Sequence, residues 1–215
     1  MASKYVDTPS IVQVIGTVYN SPQLLEYTDK YTITEEDFPD PFHQIVFGTI
    51  YKLHELGVEK ITLNSITDYL SSRPKSEAIF IKQKGEEWLT KASENANNSS
   101  FDYYYNRLKK MTLLRAMDNH GIDVKDIYDP DNIVDLKLRQ LQEDKLDNTS
   151  LEGLAQIIQD KLDEIKANYV DGSWGEAYQA GDNIIEMLDD DETGLYGESA
   201  LYLLSLFDEK EKTKF

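Results

Sequence analysis

Cysteine is absent from all 215 residues. That excludes a disulfide framework and thiolate metal sites, and it fits a reducing compartment. Histidine is nearly absent: His43, His54 and His120 are the three present, and Val58 stands where an HExxH zinc helix needs its second histidine. No Gly-Lys dipeptide occurs, so the chain holds no phosphate loop of the kind that cradles a nucleotide and positions its magnesium. No apolar run approaches the roughly 18 residues a membrane span requires. The opening MASKYVDTPS lacks the apolar core of a secretory signal. Basic residues are outnumbered, 22 against 40 acidic for a net charge of −18, and the excess is larger in the second half. Such a field repels phosphate, which argues against strong non-specific nucleic-acid binding by the chain alone and suits solubility and protein partners. The expectation is a soluble, cytoplasmic protein that does not engage a membrane.

What is present is enough to fold. Hydrophobic residues make up 40% and aromatics 11%, which supports a packed core. The segment 10–20, SIVQVIGTVYN, has strand propensity, but Pro9 before it and NSPQLL after it favour a helix running into a turn. Thr34 and Asp37 in TEEDF form a capping-type sequence. Phe42, Ile45, Val46, Thr49, Ile50, Leu53 and Leu56 then recur at helical spacing until Gly57, placed as a helix-ending glycine. Ile61, Leu63, Ile66, Tyr69 and Leu70 mark a second helix, with Thr62 or Asn64 to cap it and Pro74 to stop it. Residues 79–98 read as polar around Trp88 and Leu89, ending in the loop formers SENANNSS.

A long helix is expected from Ser100, carrying Phe101, Tyr104, Tyr105, Leu108, Met111, Leu114 and Met117. After a turn at Gly121 and the DPD of 129–131, Ile133, Leu136, Leu141 and Leu146 predict its antiparallel partner in a tight αα-hairpin. Thr149 and Glu152 read as a capping box. The helix they open carries Leu151, Leu154, Ile157, Ile158, Leu162, Ile165 and Tyr169. Residues 171–215 read as an acidic linker or tail, with short helices at Ile184–Leu188 and Ala200–Phe207. The fold class is therefore all-α: a helical bundle with a protruding hairpin, a linker helix and an acidic tail. The divisions fall at 1–9 (tail), 10–148 (helical domain with hairpin), 149–170 (linker helix) and 171–215.

Candidate chemistry is thin. Asp129 and Asp131 imitate the start of a calcium loop, but Val134 and Gln140 occupy its glycine and closing-glutamate positions. The run Asp189–Glu192 reads as a solvated linker, because nothing fixes its geometry. His43 has no nucleophile or carboxylate at recognisable spacing and reads as a packed or capping residue. Tyr103–Tyr105 lack the interleaved basic residues of a base-stacking platform and read as core or interface. The helix at 149–169 either docks on another subunit or packs back on its own hairpin.

The order of these signals resembles one family. Val14-Ile15-Gly16 followed by Pro22-Gln23-Leu24-Leu25, then Asp37, Phe38, His43, Ile45 and Phe47, then Gly57, Ile61, Thr62, Leu63 and Leu70, and finally Tyr104, Tyr105, Leu108, Leu113, Leu114 and Arg115 are similar to the N-terminal domain of DnaB-type replicative DNA helicases. The likeness covers about residues 10–170; residues 73–100 are more polar than the family's pattern. It implies a non-catalytic scaffold that pairs through its hairpins into dimers or a hexameric collar and receives primase or a helicase loader. Its linker helix would pack on a neighbouring subunit. ATP and magnesium would belong to a motor domain that this sequence does not contain, and DNA would be met only through that motor. Residue by residue, the resemblance assigns Tyr104, Leu108, Met111 and Leu136 to the self-association surface and Leu154, Ile158 and Leu162 to linker docking. It assigns no catalytic, cofactor or metal residue. A truncated helicase-like regulator, a primase-type helicase-binding domain and a small all-α enzyme are the alternatives.

Overall fold

The computed structural model describes residues 4–168. The acidic run and the two short helices expected beyond residue 180 lie outside the described residues, as does Tyr169. Every long element among the described residues is an α-helix: α1 (Thr8–Asn20), α2 (Pro41–Glu55), α3 (Leu63–Ser71), α4 (Pro74–Lys82), α5 (Gly85–Asn95), α6 (Phe101–Asn119), α7 (Leu136–Asn148) and α8 (Leu151–Asn168). The chain divides into two compact units, one reaching Thr112 and the other starting at Leu113.

In the first unit, α1 forms against the strand propensity of its β-branched residues because its start is fixed. The Asp7 carboxylate accepts from the Ser10 amide at 2.9 Å and is held from the other side by Arg107 Nε at 3.0 Å. Tyr5, within the stretch read as a tail, is fully buried. Ile11, Val14, Ile15 and Val18 then bury one face of α1. A side chain of this kind contributes about 1.5–3 kcal/mol when fully covered. Gly16 lets α1 approach α5 closely: a Cβ there would lie 2.2 Å from the Ala92 carbonyl oxygen.

Asp40 caps α2 through the Phe42 amide at 2.8 Å, with Pro41 at the first helical position. At the other end Gly57 takes φ 80°. The Gly57 amide bonds the His54 carbonyl and the Val58 amide the Leu53 carbonyl, the paired bonds of a Schellman ending. Thr62 rather than Asn64 caps α3, exchanging bonds with Ser65.

The polar stretch 73–98, to which the sequence assigned no helix, forms two, and α5 runs into the loop formers expected at its end. Pro74 does more than close off α3, which ends at Ser71: it also opens α4 at its first turn, and Phe80, Leu89 and Ala92 supply enough buried surface to hold α4 and α5. Around them lies one core containing Phe38, Phe42, Phe47, Ile50, Ile66 and Leu70.

The Thr34–Asp37 signal forms a short 3₁₀ turn, and Asp37 does more than cap it. Its fully buried carboxylate accepts from the Thr34 amide (2.9 Å), Lys109 Nζ (3.0 Å) and Thr112 Oγ1 (2.9 Å). A buried charge is tolerable only with such partners, and these tie the turn to α6.

In the second unit the connection between α6 and α7 is not the tight turn that was expected. After a second Schellman ending at Gly121 (φ 79°), residues 122–128 bury Ile122, Val124, Ile127 and Tyr128. Gln142 on α7 fastens this segment, accepting from the Asp129 amide at 3.1 Å and donating to the Lys125 carbonyl at 2.8 Å. Ser150, not Thr149, caps α8. The Gly153 amide donates to Ser150 Oγ at 3.0 Å, while Thr149 Oγ1 turns back to the Lys145 carbonyl.

Candidate interaction surface

A helix with one buried stripe normally shows polar residues elsewhere. On α7 the buried positions are Gln142 and Leu146, four residues apart. Its other apolar residues have nowhere to go. Leu138 and Leu141, three apart on a neighbouring stripe, are 45% and 66% exposed, and Leu136 is 67% exposed. Just before the helix Ile133 and Val134 are 77% and 93% exposed.

This conformation is fixed locally. Asp129 Oδ1 accepts from the Asp131 amide, Asn132 Oδ1 from the Asp135 amide at 2.9 Å, and Asp135 Oδ1 from the Leu138 amide at 2.9 Å. The DPD motif and the α7 cap thus hold five aliphatic side chains in water. Exposed aliphatic side chains gathered within one nine-residue segment make it a candidate contact site.

The seven positions assigned from the resemblance fall apart into three groups. Leu136 is exposed. Tyr104 and Leu162 are half-buried. Leu108, Met111, Leu154 and Ile158 are at most 4% exposed within this chain and serve its own packing. Ile133, Val134, Leu138 and Leu141 were not assigned. The available signal was surplus: the segment 133–146 holds more aliphatic residues than one stripe of α7 can bury.

Elsewhere the possible chemistry is structural. His43 lies half-buried between the rings of Phe42 (5.3 Å between centroids) and Trp88 (5.1 Å). Its Nδ1 has no hydrogen-bond partner, and burial pushes its pKa below the ordinary histidine value against a smaller opposing pull from Asp40. Tyr105 packs in the core and accepts from the Thr32 amide at 2.9 Å; burial raises its pKa. Tyr103 is half exposed. Among the described residues no three His, Asp or Glu side chains converge as a metal site, and no helix is long and apolar enough to cross a membrane.

Two comparisons with known proteins bear on this geometry. Over 183 residues, 85% of this chain, it is 36% identical to the SPbeta prophage-derived uncharacterized protein YorI of Bacillus subtilis strain 168, and the match spans 36% of that relative's length. No solved structure matches the chain. The family described as the DnaB-like helicase N-terminal domain matches residues 12–110, which run from α1 into α6. Those residues are similar to a DnaB-like helicase N-terminal domain.

Proposed function

We propose that this chain is the assembly and partner-recruiting portion of a DnaB-type replicative helicase, self-associating through the segment Ile133–Leu141. The observation that carries this is the set of five exposed aliphatic side chains gathered in this segment, at and just before capped α7 and beyond the matched N-terminal domain. Stable interfaces bury about 800 Å² on each partner. In this reading these side chains supply the apolar centre of such a contact, and Lys137, Gln140 and Asp144 form its polar rim. The product is a dimer or a hexameric collar. Primase or a helicase loader docks on that collar during DNA replication in the cytoplasm of a bacterium or phage-infected cell. ATP and magnesium are the business of a motor domain, and DNA is reached through it.

The experiment is light scattering after size exclusion on the wild-type chain and on the L138S/L141S variant. Wild type should run as a dimer or larger at tens of micromolar. The variant should run as a monomer with unchanged helical circular dichroism, because both positions are exposed in the single chain. A monomeric wild type, or a variant that assembles equally well, would remove this reading.

A further inference from the structure

The first unit carries a cleft of its own. The turn Pro22–Glu26 forms one wall, anchored by Leu24 and Leu25 against the core. The C-terminal end of α2 and the strap Gly57–Glu59 form the other. His54 Nε2 stands 3.6 Å from Glu26 Oε1 across it. Apart from His54, which faces Glu26, the charged residues that line the cleft are carboxylates, and exposed Lys60 follows beyond its lining. Glu26 and Glu59 are both exposed carboxylates in the lining. The end of α2 adds the negative partial charge of a helix C-terminus. Lys52, the nearby cation on α2, is already engaged by Glu55 at 2.7 Å.

The rim is apolar in the same places. Leu56, next to Gly57, is 70% exposed, and Tyr27, next to Glu26, is 58% exposed. Val58 and Pro22 contribute to the floor. Nothing lies within 4 Å of where a Cβ on Gly57 would stand, so the backbone strap itself is open to a visitor. Carboxylates on two facing walls, with large aliphatic and aromatic side chains at the edge, are complementary to a cation that carries apolar neighbours. A phosphate or a nucleic acid would meet the wrong charge.

We propose that this cleft is a docking site for a short basic and aliphatic segment of a partner protein. A Lys or Arg side chain seats between Glu26 and Glu59, and an adjacent branched aliphatic residue covers Leu56 and Val58. The cleft lies wholly in the unit that ends at Thr112, and the segment Ile133–Leu141 belongs to the other.

The test is a titration of the full ¹⁵N-labelled chain with acetyl-Leu-Arg-Leu-amide, followed by amide chemical shifts. Acetyl-Leu-Glu-Leu-amide and free arginine amide are the comparison probes. Saturable shifts at Gly57, Val58 and Glu59 are expected with the arginine peptide alone. The affinity should weaken about five-fold in E26Q/E59Q, as the loss of two exposed ion pairs implies, and should also weaken in L56S. All three residues are exposed, so the variants should keep the wild-type spectrum elsewhere. Equal binding of free arginine amide, or full affinity in L56S, would show a mere cation site and overturn the proposal. So would shifts that spread over the acidic surface without saturating.

Discussion

Residue by residue, the first unit contains three positions where a single atom or proton decides stability. At Gly16 the obstacle to a larger residue is backbone: the Ala92 carbonyl oxygen, 2.2 Å from the missing Cβ. A main-chain atom in the middle of α5 cannot swing aside, so α1 and α5 must separate. Gly16→Ala should therefore destabilise the chain by about 2–3 kcal/mol, although alanine is the better helix former by about 1 kcal/mol. A shift of the urea midpoint reads this directly, and an unchanged midpoint would show that the helices do not cross so closely. At His43 the proton matters. Burial between Phe42 and Trp88 disfavours the charged ring, so its folded-state pKa lies below its unfolded value. The unfolded chain then binds the proton first. Stability should be level above about pH 6.5 and fall as the pH drops below it, by at most about 1.4 kcal/mol per pH unit. His43→Leu should flatten the profile between pH 7.5 and 5.5, where the carboxylates hardly titrate. A wild-type profile already flat there would contradict the packing described. At Lys84 the backbone is the issue. It sits at φ 53°, the one non-glycine residue at positive φ among those described. Lys84→Gly should stabilise by about 0.5–1 kcal/mol, since the exposed Lys84–Glu87 pair at 3.7 Å contributes little. Thermal denaturation of the variant checks it.

At the scale of elements, the legible parts of the fold were those whose boundaries are written in local chemistry. Gly57 ends α2 in the sequence as it does in space, because helix-ending glycines act over a few residues, whereas the capping signal read at Thr34 and Asp37 belongs to a separate turn and Asp40 is the cap of α2. The α4–α5 pair was missed for the opposite reason. Its few apolar residues are spaced too thinly to show a helical face, and its stability comes from Phe80 and Leu89 reaching a core built by distant helices. Pro74 was read as a stop alone, and the helix it starts depends on that packing. The interaction surface shows the same limit. Periodicity marks which residues of α6, α7 and α8 are apolar, and it puts Leu108 and Leu141 on an equal footing. Burial separates them: Leu108 is 1% exposed and Leu141 66%. Gln142 of α7 is fastened to the connection before the helix, and that is a tertiary fact. A glutamine fastening two backbone carbonyls gives no periodic signal at all.

For the whole molecule, charge and assembly pull against each other. Each copy carries −18, so bringing two or six copies together concentrates negative charge in one particle. The proposed contact is apolar at its centre, and burial of aliphatic surface does not weaken when salt screens charges. The repulsion does weaken: the Debye length falls from about 14 Å near 0.05 M salt to about 4 Å near 0.5 M. Self-association through Ile133–Leu141 should therefore strengthen as sodium chloride rises over that range, with the light-scattering mass at a fixed low micromolar concentration moving upward. An interface held mainly by ion pairs would respond in the opposite direction, its mass falling with salt. The sign of the salt effect thus separates an apolar seam from an electrostatic one without any mutation. The L138S/L141S variant then supplies the control, because it should stay monomeric at both ends of the titration.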